Sequence, residues 1–196
     1  MILPIVAYGD PVLRKKGADI SQDYPSLDEL IKNMYETMYN AHGVGLAAPQ
    51  IGIPIRLFII DGAPFSQDEE LSQEEQEFLE NFKQTFINAK ILEETGDEWA
   101  FNEGCLSIPD VREDVFRKEK ITISFYDENF TQQTKTFEGI AARIIQHEYD
   151  HIEGVLFTDK LSPLKRRLIK GKLSNISKGK VNADYKMRFP KMKKKR

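Results

Sequence analysis

The chain has 196 residues, 40% of them hydrophobic and 30% charged, with a formal net charge of −3. That length and balance fit one globular domain whose core needs no staples, and a single cysteine, Cys105, excludes an internal disulfide and fits a reducing compartment. The near-neutral total conceals an acidic body with a basic end: from Ser162 onward 14 Lys and Arg face one acid, Asp184, whereas residues 1–161 hold 14 basic and 30 acidic side chains.

The N-terminus lacks a basic region and reaches Gly9-Asp10-Pro11 too soon for a signal peptide. No run is long enough to span a membrane, so a cytoplasmic protein is expected. Residues 1–24 read as an irregular arm. Ser26-Leu27-Asp28-Glu29 has the form of a capping box and opens an amphipathic helix with Leu27, Leu30, Ile31, Met34 and Met38 on one face. The helix is expected to end at His42-Gly43, with the glycine as a left-handed cap. Residues 43–52 are mostly small and let another segment or a ligand come close to the backbone. They lack the Lys and Ser/Thr of a phosphate loop, so no nucleotide is expected. Gln50, taken alone, reads as a turn-side polar residue.

Residues 53–60 are rich in β-branched side chains and predict a buried strand. Residues 62–82 carry many acids and no base, which reads as a solvated surface insertion with Ser72 capping a short helix. A strand is expected over 85–94, closed by Thr95-Gly96-Asp97. Residues 120–126 and 131–138 alternate with period two and form a hairpin around Asp127-Glu128-Asn129. A helix follows from Gly139 to a stop at Gly154. Ser162-Pro163 caps a last helix with Leu164, Leu168, Ile169 and Leu173 as its apolar stripe. These elements predict an α+β fold: mixed or antiparallel sheets packed around a central His-Glu-x-x-His helix, with an N-terminal and a C-terminal helix. Residues 1–178 form a single catalytic domain that includes the insertion, and 179–196 a basic, mobile tail.

The chemistry centres on Gln146-His147-Glu148-Tyr149-Asp150-His151. Residues four apart on a helix share a face, roughly 5–6 Å between Cβ atoms, so both imidazoles can grip one metal ion. With 100° per residue, Ile144, His147 and His151 all lie within about 40° of Ile140, giving a stripe that is apolar at its start and metal-binding at its end. Glu148 flanks the stripe and can reach a water on the ion, which is the arrangement for metal-assisted hydrolysis. A catalytic site needs a third ligand. Glu153 is too near His151 in sequence to share its face, and His42 reads as a helix-end residue. Cys105 is the better candidate as a thiolate, although a lone cysteine also reads as an inert small hydrophobe.

Residues 43–50, 103–107 and 146–151 resemble, in order and spacing, the three signature motifs of the peptide deformylase family. The resemblance spans about residues 1–170, including the Leu161-Ser162-Pro163-Leu164 entry to the last helix, and does not extend to the basic end. It implies a metal-dependent hydrolase that removes the N-terminal formyl group from formyl-methionine of nascent polypeptides. Cys105, His147 and His151 would hold one divalent ion, usually Fe²⁺ in the family, with Zn²⁺, Ni²⁺ or Co²⁺ as substitutes. The ion would activate a water, Glu148 would move its proton, and the Gln50 side-chain amide and Leu106 N–H would stabilise the oxyanion.

A methionine substrate needs an apolar pocket beside the ion. Ile140, Ile144 and Val44 are the candidates, each equally readable as core, and Gly45 and Gly104 offer backbone hydrogen bonds to an extended peptide. Two rival readings are a zinc endoprotease on the same helix and a non-catalytic metal-binding, ribosome-associated module. The basic end suits ribosomal RNA, near which such an enzyme works, or folds back on the acidic body.

Overall fold

The computed structural model describes residues 1–190, and residues 191–196, which end the expected tail, lie outside the described residues. The scaffold is a five-stranded antiparallel sheet in the order β2 (Gly45–Ala47), β3 (Leu57–Asp61), β4 (Lys83–Cys105), β5 (Ile108–Tyr126) and β6 (Gln132–Glu138). Strand β3 explains the placement of the helices. Phe58 and Ile60 point to one face, where they meet Ile140, Ala141, Ile144 and Ile145 of α3 (Gly139–Ile152). Leu57 and Ile59 point to the other, where they meet Ile31, Met34 and Met38 of α1 (Leu27–Asn40). A strand covered on both faces reads as a nearly continuous apolar run rather than an alternating one, as Leu57-Phe58-Ile59-Ile60 does. Each such fully buried side chain contributes about 1.5–3 kcal/mol.

Helix α1 starts at the expected place by a different device. Ser26 is left-handed (φ 54°) and makes no side-chain cap, so the capping box does not form. Asp28 and Glu29 still place negative charge on the first turn. At the other end the left-handed residue is His42 (φ 54°), not Gly43. The N–H of Gly43 donates to Met38 O at 2.9 Å and that of His42 to Tyr39 O at 3.1 Å, the paired bonds of a Schellman stop. Gly43 is needed for room instead, since an added Cβ would come within 2.8 Å of Leu106 Cδ1.

In the insertion, α2 (Gln73–Glu80) is capped by Ser72, whose hydroxyl accepts from Glu75 N–H at 3.2 Å. The Glu75 carboxylate accepts in turn from Ile140 N–H at 3.0 Å, so the acidic segment caps the central helix. Thr95-Gly96-Asp97 does not end a strand. Gly96 (φ 80°) lies in a bulge where the register shifts, and β4 continues through it to Cys105.

The last helix, α4 (Pro163–Ser177), is capped by Ser162 as expected, but its apolar stripe is displaced. Ile169, Leu173 and Ile176 are buried against Val111, Val115 and Phe157, whereas Leu164 and Leu168 are 66% and 73% exposed. Spacings of four and three from Ile169 select Leu173 and Ile176, which rotates the first two leucines toward solvent. Past Gly179 the chain departs from the expected mobile tail and folds back. Here β7 (Met187–Arg188) pairs in parallel with β1 (Ile5–Val6), and Ala7 N–H donates to Arg188 O at 2.9 Å. Extended main chain in the N-terminal arm supplies the edge that holds it. No helix among the described residues is long and apolar enough to cross a membrane.

Candidate functional site

Helix α3 presents His147 and His151 with ring centroids 5.2 Å apart, and β4 ends by bringing Cys105 against them, Sγ lying 3.3 Å from His151 Nε2. The ligand atoms of Cys105, His147 and His151 all lie within 4.8 Å of one another. Metal bonds of about 2.0–2.3 Å to nitrogen and sulfur in a tetrahedral array place donors roughly 3–4 Å apart, so the three residues fit one ion.

His147 is oriented from behind. Its Nδ1 lies 2.9 Å from Glu103 Oε2, which leaves Nε2 toward Cys105. Glu103 is in turn gripped by Arg117 at 2.7 and 2.9 Å and reached by Arg143 at 3.1 Å, and Arg117 also donates to Asp150 at 2.7 Å. Arg143 donates to the carbonyls of Trp99 and Val115 and stacks over the Trp99 ring, 4.4 Å from its centroid. Burial alone would raise the pKa of Glu103, but the hydrogen bonds from Arg117 and His147 hold it well below the usual carboxylate range.

Two groups beside this cluster have polar atoms that the described residues do not satisfy, Glu148 Oε2 and His151 Nδ1. Burial pushes the Glu148 carboxyl up to about 7. Burial and the facing His147 push His151 well below its ordinary value, so this ring stands neutral with a lone pair to give. Burial opposes a proton on His147 too, but the neighbouring Cys105 and Glu103 outweigh it and raise its pKa well above the ordinary value. The same two neighbours that draw a proton there would draw a cation.

Gly45 packs directly on Glu148, where an added Cβ would lie 2.5 Å from Oε1. Close approach is therefore one use of the small-residue stretch. Gln50 stands on the 3₁₀ turn Ala48–Ile51; its Oε1 accepts from Ala47 N–H at 2.8 Å, which turns Nε2 toward Cys105 Sγ and Ser107 Oγ, each 3.5 Å away. The cleft in front of these groups has a volume of about 840 Å³. Val44, Gly45, Gly104, Leu106 and Ile144 line it. Ile140 does not. It shares the stripe of Ile144 but sits one helical turn farther from the histidines, buried among Phe58, Phe86 and Phe137 in the core.

Several site residues were not picked out from sequence. Phe65, from the acidic insertion, and Phe101 supply apolar walls, and Tyr185 of the returning tail supplies another. Trp99, Phe101, Glu103 and Cys105 recur every second residue, the strand period that could have grouped them. Arg143 within Ala141-Ala142-Arg143-Ile144-Ile145 is also a signal, because a guanidinium in an apolar run requires a buried acid. Glu153, the other acid weighed as a ligand, is engaged elsewhere, with Arg56 and Lys16.

Comparison with known proteins is concordant. The family model for polypeptide deformylase matches residues 2–167. A peptide deformylase from Christiangramia forsetii is 67% identical over 196 residues, covering 100% of both chains. One from Cytophaga hutchinsonii is 52% identical, covering 97% of this chain and 98% of the relative. Among solved structures, a peptide deformylase from Legionella pneumophila superimposes with a TM-score of 0.76 at 38% identity, covering 91% of this chain and 96% of the other. A Plasmodium falciparum peptide deformylase in complex with an inhibitor gives 0.74 at 31% identity, covering 89% and 99%.

Proposed function

Because the chain belongs to the peptide deformylase family, hydrolases that remove the formyl group from nascent polypeptides, we propose how its own residues divide that work. Cys105, His147 and His151 would hold one divalent metal ion, Fe²⁺ being the ion that the family resemblance implies. Bound there, the ion would lower the pKa of a water and polarise the formyl oxygen.

Glu148 is the general base and acid. Its side chain borders the cleft, its buried Oε2 has no partner, and its pKa near 7 suits both halves of a proton relay, first accepting the water's proton and then delivering it to the leaving amine. Negative charge developing on the formyl oxygen is met by Gln50 Nε2 and the Leu106 N–H; removing one such donor typically costs about 3–4 kcal/mol in the barrier. Glu103, on His147 Nδ1, leaves the Nε2 of that ring free to hold the ion. Val44 and Ile144 border the space for the methionine side chain, and Gly45 and Gly104 leave backbone open to an extended peptide.

The observation that carries this reading is the unsatisfied Glu148 carboxylate standing beside a Cys-His-His ligand set, with an amide donor turned the same way. It is tested by turnover of formyl-Met-Ala-Ser by metal-loaded wild type and Glu148→Ala. Deformylation by the wild type alone, with one metal equivalent in both, is expected; an inactive metal-replete wild type would sink the assignment. A thiolate ligand quenches part of the ion's charge, so the Fe²⁺ form should greatly outrun the Zn²⁺ form and decay in air. Equal, air-stable activity of the two forms contradicts Fe²⁺.

The place of work is the cytoplasm, where nascent chains emerge, and the ribosome is the proposed neighbour. Arg166, Arg167, Lys170 and Lys172 are exposed on α4 and support a contact with ribosomal RNA. Neutralising these four should abolish co-sedimentation with ribosomes at low salt while leaving turnover of free formyl peptides intact; unchanged co-sedimentation would remove the RNA contact.

A further inference from the structure

The Leu106-Ser107 turn joins β4 to β5 directly after the ligand Cys105, and both of its carbonyls are engaged from outside the hairpin. Ser107 O accepts from Tyr8 N–H at 2.8 Å, and Leu106 O accepts from the Tyr185 hydroxyl, also at 2.8 Å. Tyr8 lies two residues past β1 and Tyr185 two residues before β7. The strands that pair the two ends of the described chain thus each send one hydrogen bond to the same turn. The second residue of β7 reaches the other donor's loop. The Arg188 guanidinium lies against Gly52 (φ 86°), which closes the 3₁₀ turn bearing Gln50, and Ile5 of β1 packs in one cluster with Ala48 and Ile51 of that turn.

We infer that the paired β1 and β7 form a clasp that fixes the spacing of the two oxyanion donors, with Tyr185 as a positioning residue for Leu106. The inference rests on the assignment of Gln50 and Leu106 as those donors. The Leu106 N–H lies in the Cys105–Leu106 peptide plane, whose tilt relative to the following peptide is set by the two torsions about the Leu106 Cα. Cys105 fixes the preceding peptide through the ligand set, and the Tyr185 hydroxyl fixes the following one through the Leu106 carbonyl. With that hydroxyl gone, the turn can rock and the donor leaves its aim for part of the time. The oxyanion exists only as the reaction proceeds, so the loss falls on kcat and not on KM. Residues 182–188 lie beyond the part of the chain matched by the family model, so this support is separate from the motifs that carry the chemistry.

The test uses the metal-loaded full chain with formyl-Met-Ala-Ser. Tyr185→Phe keeps the ring that walls the cleft and removes only the hydroxyl. Its kcat should fall about tenfold, less than loss of a donor outright, with KM within about twofold of wild type. Metal content and thermal midpoint should stay at the wild-type values. Arg188→Ala, which loosens the contact under Gln50, should show a smaller loss of the same kcat-only kind. Gln50→Ala run in parallel separates the two levels of the argument. A slow Gln50→Ala beside a Tyr185→Phe with wild-type kcat overturns the clasp alone, as does a Tyr185→Phe loss matched by loss of metal or of thermal stability. A Gln50→Ala with wild-type kcat overturns the donor assignment and the clasp with it.

Discussion

Glu103 and Glu148 are buried to the same degree, each 4% exposed, and both stand beside His147 and His151, yet their surroundings drive them in opposite directions. Glu103 meets two guanidinium groups and the Nδ1 of His147, and is held ionised. Glu148 lies against Gly45, keeps one oxygen without a partner and has its pKa pushed up to about 7 by burial. Burial alone therefore does not say what a buried carboxylate is for. A fully paired one is support, since its interactions are already made. One left incomplete has bonds to offer a substrate, and a buried polar atom without a partner costs about 1–3 kcal/mol that function must justify.

The comparison separates most widely in isosteric variants. Glu148→Gln keeps shape but cannot accept and return a proton, so turnover should fall about a thousandfold. Urea unfolding should show no loss of stability, because a neutral amide avoids burying a charge. A variant that keeps even a tenth of wild-type turnover would remove Glu148 from the relay. Glu103→Gln should do the reverse. It leaves Arg143 without a carboxylate and Arg117 with Asp150 alone in the interior, a change of about 3–5 kcal/mol. It also frees the His147 ring, weakening metal affinity about 10–100-fold. Urea denaturation with metal titration reads both, and turnover per bound metal should stay near wild type. If Glu103→Gln were as stable as the wild type, the pairing would not be what holds the site.

The incomplete carboxylate was legible in sequence and the complete one was not, for a physical reason. His147, Glu148 and His151 lie within five residues on one helix, where spacing dictates which side chains meet. Cys105 followed from the need for a third ligand and the small inventory of candidates. The partners of Glu103 come from β5 and α3, 14 and 40 residues away, and only strand pairing and helix packing bring them together. The core strands and central helix were readable from period for the same local reason. The bulge at Gly96, the left-handed His42 and the return of residues 187–188 to β1 depend on contacts made after the chain folds. Leu164 and Leu168 show the limit of counting apolar residues: a helix stripe drawn one step off its true axis puts two leucines in solvent.

A finer break in the comparison is Gly45→Ala. The added methyl would fall 2.5 Å from Glu148 Oε1 and 2.7 Å from its Cγ, so the carboxylate must move as a whole, and displacement of a proton-relay group by about 1 Å can cost up to about a hundredfold in kcat. Metal content should be unchanged. Wild-type kcat in this variant would mean that the Glu148 position is not critical.

The smallest effect belongs to a third carboxylate that is paired like Glu103 but lies near the surface. Asp159 bonds Arg14 and accepts from Leu156 N–H at 2.9 Å. Burial alone would raise its pKa, but Arg14 and that N–H outweigh it and hold the value below the ordinary 3.8. The folded protein thus binds this proton less readily than the unfolded chain does. The stability Asp159 contributes is present in full above that ordinary value and drains away as pH falls through the lower folded one. Solvent and salt screen a half-exposed pair, so Asp159→Asn should cost no more than about 1 kcal/mol at pH 7. The difference between variant and wild type should vanish in urea unfolding carried out well below the ordinary carboxylate range. A gap that persists in acid would assign the contribution to the packing of the Leu156 turn, and pairing at the surface would then contribute nothing that pairing in the interior does.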